Sequence, residues 1–221
     1  MTTAQFALAM GLTPALTRQD FVVADSNRQA LAAIERWPDW QGRVLVLWGP
    51  AGSGKTHLGE IWRVRANATR LERSIDPAAA NGQAVLLDDA DRDVPEATLL
   101  HLHNVVQQSG GWLLLTASSA PAQWKVDLPD LRSRLIAAPG AGIAAPDDEL
   151  LAAVLAKHFS DRQLRAGADL IAYLVPRMER SFAAARNLVA ALDSAALAER
   201  SEIGLPLARR VLERMQNPGL L

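Results

Sequence analysis

RVLVLWGPAGSGKT (Arg43–Thr56) joins an apolar run to a glycine-rich turn that ends in Lys-Thr. Gly49, Pro50, Ala51, Gly52, Ser53, Gly54, Lys55 and Thr56 satisfy the spacing G-x-x-x-x-G-K-[ST], and the helical segment HLGEIWRVR follows. The chemistry requires these residue types in this order. Glycines let the backbone curl until several N–H groups face one concavity, and the helix that starts there adds its partial positive charge. Lys55 is then placed to neutralise β and γ phosphates, and the Thr56 hydroxyl to reach Mg2+. Lysine is scarce, three against twenty arginines, so one at this spacing is informative. Strand, loop and helix together predict a site for ATP or ADP.

Working outward, two more apolar runs stand between turn formers, QAVLLDD (residues 83–89) and GWLLLTAS (residues 111–118). Each is too short for a stable helix and apolar on both faces, as buried parallel strands are. Helical segments separate the runs, which predicts an α/β fold with a sheet covered on both sides. The second run ends in Asp88 and Asp89. A phosphate-binding loop needs a carboxylate on a neighbouring strand, so Asp88 is the expected Mg2+-side residue, with Asp89 orienting an attacking water. Asp91 and Asp93 read as solvated turn residues. Upstream, FVVADSNRQALAAIERWP reads as an extended piece and then a helix capped by Ser26 or Asn27 and stopped by Pro38. Downstream, the Gly/Pro/Ala stretch Pro139–Glu149 reads as a hinge, and four helical segments follow it.

The totals narrow the function. Half the chain is apolar, 49%, enough for a substantial core in 221 residues. A net charge of −1 offers no bulk attraction to DNA or anionic lipid. The helical part from Asp147 onward carries acids and bases in equal number, so no basic reading head is expected. The absence of cysteine excludes disulfides and thiol catalysis. No signal peptide or membrane span is legible, and the expectation is a soluble cytoplasmic protein. His101 and His103 diverge by about 200° on a helix and do not suggest a metal pair. The six tryptophans read as core or edge packing.

GPAGSGKTHL, VLLDDAD, TASSAP at a strand end, LPDLRSRL and an all-helical remainder together resemble the DnaA-related family of AAA+ proteins, and within it the Hda-like regulators. The resemblance covers the chain from Gln5 onward. It implies a short clamp-binding peptide and linker over residues 1–20, a nucleotide-binding α/β subdomain over 21–145 and a helical lid over 146–221. It places Asn27 near the adenine, groups His57 with the loop, and puts a sensor hydroxyl at Ser118, with Thr116 second. Arg134 falls on the position of an arginine finger, ahead of Arg132. The lid's sensor arginine is replaced by Ala183, with Arg180 and Arg186 one turn either side. The opening QFALAM is similar to a peptide that grips the DNA polymerase III β sliding clamp. Gln5, Phe6, Leu8 and Met10 would lie extended in an apolar channel there.

The function so implied is regulatory inactivation of DnaA. An ADP-bound adaptor on the clamp lends an arginine to ATP hydrolysis by DnaA, without sequence-specific DNA contact of its own. No helix-turn-helix unit is expected after the lid, tight diphosphate binding and weak hydrolysis are expected, and self-association is open. The alternative is a self-acting AAA+ ATPase such as a DnaC-like helicase loader.

Overall fold

The computed structural model describes residues 16–71 and 76–216. Five parallel strands form one sheet in the order β2-β3-β4-β1-β5. The three apolar runs are β1 (Val44–Trp48), β3 (Ala84–Leu87) and β4 (Trp112–Ala117), side by side at its centre. Their side chains alternate between two cores. Leu45, Leu47, Leu86 and Leu114 pack on α1 (Arg28–Glu35) and α2 (Lys55–Arg65). Val44, Val46, Val85, Leu87, Leu113 and Leu115 pack on α3 (Glu96–Ser109) and α4 (Pro129–Ala137). Burial on both faces is why no polar alternation marks these strands in the sequence.

Two edge strands were not legible: β2 (Thr69–Arg70) and β5 (Gly140–Gly142). The latter corrects the hinge reading of Pro139–Glu149, because Gly140 to Gly142 pair with Val46 to Trp48 of β1. The Trp48 indole lies flat on this strand. A Cβ at Gly140 would sit 2.5 Å from a Trp48 ring carbon, so only glycine admits this close pairing.

Beyond β5, α5 (Asp148–Asp161), α6 (Ala168–Leu174), α7 (Phe182–Glu199) and α8 (Leu205–Gln216) bury a third apolar cluster around Leu151, Phe159, Leu188 and Leu212. Asp147 caps α5 by accepting from Leu150 N at 2.8 Å, and Ser181 caps α7 by accepting from Ala184 N at 3.0 Å. The tryptophans pack as expected: Trp62 is wholly buried and stacks on Trp40 at 5.1 Å. No helix among the described residues is long and apolar enough to cross a membrane.

Burial lowers the pKa of His57, His103 and His158 below the ordinary 6.5. The fold therefore favours the neutral rings, and on acidification the unfolded chain takes up protons that the folded chain refuses. This contribution is fully present above the unfolded-state pKa and is drained as pH falls through it. The thermal midpoint is expected to fall between about pH 7.5 and about pH 5.5, the window around the free histidine pKa. A midpoint that rises or stays flat across that window would contradict the burial of these rings.

Candidate functional site

The carboxyl ends of β1, β3 and β4 deliver the loop, Asp88 with Asp89, and Thr116 with Ser118 to one edge of the sheet, where ligands of open α/β folds bind. Gly49 leaves β1 with its N–H donated to Ala117 O at 3.2 Å. Gly52 and Gly54 then take positive φ, 71° and 99°, and α2 starts at Lys55. Lys55 is 8% exposed, and its ammonium donates to the carbonyls of Gly49 (2.8 Å) and Pro50 (2.9 Å), drawing the loop around itself. Burial lowers its pKa, while Asp89, Asp91 and Asp88 act in the opposite sense. Ser53 Oγ is buried without a partner. Thr56 is exposed at the start of α2.

The lid closes on this loop directly. Phe182 N donates to Gly52 O at 3.1 Å, and a Cβ at Gly52 would lie 2.4 Å from Ser181 Cβ. Two phenyl rings converge on Gly54: a Cβ there would meet Phe182 at 3.1 Å and Phe21 at 3.7 Å. Phe21 also packs edge-on against His57, 5.1 Å between centroids. Neither Phe21 nor Phe182 was singled out from sequence. The available signal was compositional, since the chain has only four phenylalanines and two of them stand here.

Residues 16–27 are anchored rather than a free linker. Thr17 O bonds His57 Nε2 at 2.9 Å, and Asp20 pairs with Lys157 of α5 at 2.9 Å. Lys157 holds the Asp20 carboxyl below its usual pKa. Asn27 is 1% exposed and gives α1 no side-chain cap. Its amide oxygen accepts from Ala24 N at 3.0 Å and its nitrogen donates to Val22 O at 2.9 Å. The expected cap is thus replaced by a clasp that shapes the segment carrying Phe21.

Several expected phosphate contacts have other partners. Ser118 donates from both N and Oγ to Asp91 Oδ2, so Asp91 is no solvated turn residue. Thr116 Oγ1 donates to Asp88 Oδ1 at 2.6 Å and accepts from Asp89 N at 3.0 Å. Asp89 itself is exposed, with a positive φ of 51°. In the lid, Arg180 is drawn to Asp148 (2.5 Å) and Pro146 O (3.3 Å), and Arg186 is exposed near His158. The lid residues that meet the loop are Ser181 and Phe182 instead.

Arg134 lies on α4, at 36% side-chain exposure, and its guanidinium grips Asp130 one turn earlier with two bonds of 2.8 and 3.0 Å. The hydrogen bonding to Arg134 lowers the Asp130 pKa. Leu128 (37%) and Ile136 (52%), at the two ends of this helix, are exposed apolar residues, and Arg132 is exposed on the same helix. Gln5, Phe6, Leu8 and Met10 lie outside the described residues.

A nucleotide's phosphates fit what is present: two left-handed glycines, a buried lysine and an unpartnered Ser53 hydroxyl beside backbone N–H groups. Mg2+ at Asp88 does not fit. Asp88 Oδ1 is held by Thr116, and Oδ2 by Arg70 NH2 at 2.5 Å. Among the described residues no group of three or more His, Cys, Asp or Glu gathers to hold a metal.

A glycine-rich loop at the edge of a parallel sheet, under a helical lid that touches it, is the arrangement of the AAA+ fold. No family model matches the chain. DnaA of Campylobacter curvus is 24% identical over 91% of the chain and 53% of its own length. An uncharacterized protein of Haemophilus influenzae is 26% identical over 85% of the chain and 90% of its own length. Among solved structures, domain III of Thermotoga maritima DnaA superposes with a TM-score of 0.77 at 19% identity, covering 90% of this chain and 96% of that one. AMPPCP-bound DnaA from Aquifex aeolicus gives a TM-score of 0.69 at 17% identity, covering 86% and 69%. The chain is similar in sequence to DnaA and in fold to its domain III, and it spans about half the length of the DnaA relatives it matches.

Proposed function

We propose that the chain is a nucleotide-bound regulator of DnaA. With ADP in its own loop, it docks on the β sliding clamp through Gln5, Phe6, Leu8 and Met10 and presents Arg134 to the ATP held by DnaA. Hydrolysis there leaves inactive ADP-DnaA and prevents a second initiation. The observation that carries this reading is Arg134 itself. It stands on the solvent side of α4, away from the buried Leu131 and Leu135, and its hydrogen-bond partner is Asp130 rather than the chain's own loop.

The chemistry follows from the charges. A guanidinium fork matches phosphate oxygens as well as it matches the Asp130 carboxylate, so the contact can be exchanged when a partner's γ phosphate arrives. Charge spreads over the phosphoryl oxygens at the transition state, and a fixed cation there lowers the barrier. The chain's own site is arranged to hold a nucleotide rather than to cleave it. Ser118 and Asp88, candidates for the γ phosphate and its metal, are held by Asp91 and by Arg70 and Thr116. A self-acting ATPase would need those groups free, which favours the adaptor over a helicase loader.

The test is hydrolysis of DnaA-bound ATP with the chain present, on DNA with and without loaded clamp. Stimulation is expected only with the loaded clamp, and Gln5→Ala should reduce it about tenfold by loosening the docked peptide, an affinity loss of one hydrogen-bonded anchor. Clamp-independent stimulation unaffected by Gln5→Ala would rule out the clamp as the docking partner.

A further inference from the structure

Arg70 stands at the carboxylate that the nucleotide chemistry assigns to a metal. It is the second residue of β2, directly beside Leu86 of β3. Asp88 follows that strand at its carboxyl end. The Arg70 guanidinium is held at two points, by Asp88 Oδ2 through NH2 at 2.5 Å and by Glu60 Oε1 through NH1 at 3.4 Å. Glu60 projects from α2, the helix that begins at the phosphate loop, and is fixed in turn by Arg63 at 2.7 Å. Both carboxylates are largely covered, at 14% side-chain exposure for Asp88 and 16% for Glu60. The other Asp88 oxygen accepts from the Thr116 hydroxyl, itself 1% exposed.

A hydrated Mg2+ requires near-octahedral oxygen ligands and surrenders its water reluctantly. At Asp88 it would have to displace a guanidinium clamped between two partly buried carboxylates. The Arg70 side chain is 44% exposed but Asp88 is largely covered, so stripping its cation would leave a carboxylate with little water to compensate it. Arginine keeps its charge at all physiological pH values and makes directional bonds to carboxylates. A permanent cation therefore already neutralises the acid at the end of β3.

We propose that Arg70 is the resident cation of this site, and that the chain binds nucleoside diphosphate without needing a divalent metal. This deepens the nucleotide-binding reading and rests on it. Arg70 lies outside every nucleotide motif in the sequence, so the substitution of a side chain for a metal is visible only in the fold.

The experiment is titration of the full chain with a fluorescent ADP, in Mg2+ and in excess EDTA, for the wild type and for Arg70→Gln. The wild-type Kd is expected to change by less than about threefold on metal removal. In Arg70→Gln the uncovered Asp88 repels the diphosphate unless Mg2+ is present, so the Kd should weaken about tenfold or more in EDTA, the equivalent of one charge contact. A wild-type change above about threefold overturns the proposal. So does an Arg70→Gln chain whose metal response equals the wild type's. Absence of ADP binding under both conditions instead sinks the nucleotide-binding reading, and the proposal with it. Should Arg70→Gln fail to fold, as circular dichroism would show, the wild-type comparison still decides.

Discussion

Arg134→Ala is expected to lower the stimulated hydrolysis of DnaA-bound ATP by about 10³-fold, the lower end of what an arginine finger contributes in trans. The expectation follows from where the side chain stands. Its guanidinium is carried on the outer surface of α4, laid along the helix onto Asp130 rather than folded into the core. The neighbours Leu131 and Leu135, which do pack α4 on the sheet, are untouched by the substitution. An exposed i,i+4 ion pair contributes little to stability, so folding and ADP affinity should remain at wild-type levels. That separation makes the result interpretable. Single-turnover hydrolysis on clamp-loaded DNA reads the first quantity, and ADP titration reads the second. Stimulation that persists at the wild-type rate in Arg134→Ala would assign the reaction to another group, with Arg132, exposed on the same helix, the next to be substituted.

Lys55→Ala should weaken ADP binding by about 100-fold or more, roughly the upper range for loss of one hydrogen bond between charged groups. The lysine acts on the loop as well as on a ligand. Its ammonium holds the Gly49 and Pro50 carbonyls inward, which leaves the N–H groups of the following residues to face the phosphates. Without it the turn loses both its charge and its shape. Because Phe182 N and Ser181 rest on Gly52, a loosened loop also loses its seat against the lid. The variant is therefore expected to show faster amide exchange around Ser181 as well as weak ADP binding. Wild-type ADP affinity in Lys55→Ala would mean that the loop is not the phosphate site.

What could be read in advance divides by physical cause. The three central strands were legible because each is apolar on both faces and bounded by turn formers, and the loop because its chemistry tolerates few alternatives. β5 was not, because Gly-Ala-Gly carries no strand signal; the Trp48 indole packs on it where Gly140 and Gly142 carry no Cβ. Asn27 was noticed, yet its buried clasp on Val22 and Ala24 depends on an extended segment whose path only tertiary packing fixes. Ser118 is bonded to Asp91, a pairing across two strand ends that no local pattern announces. Arg70 is the extreme case, since its significance lies in reaching both α2 and β3 from an edge strand two residues long.

A nucleotide held by the Gly49–Thr56 loop is the condition for every role proposed for this chain. Calorimetric titration of the purified full chain with ADP measures this most directly. One ADP per chain, bound at about micromolar Kd or tighter, roughly 8 kcal/mol, is the predicted result. No saturable heat at about millimolar ADP, a range in which even a weak site would fill, would contradict it.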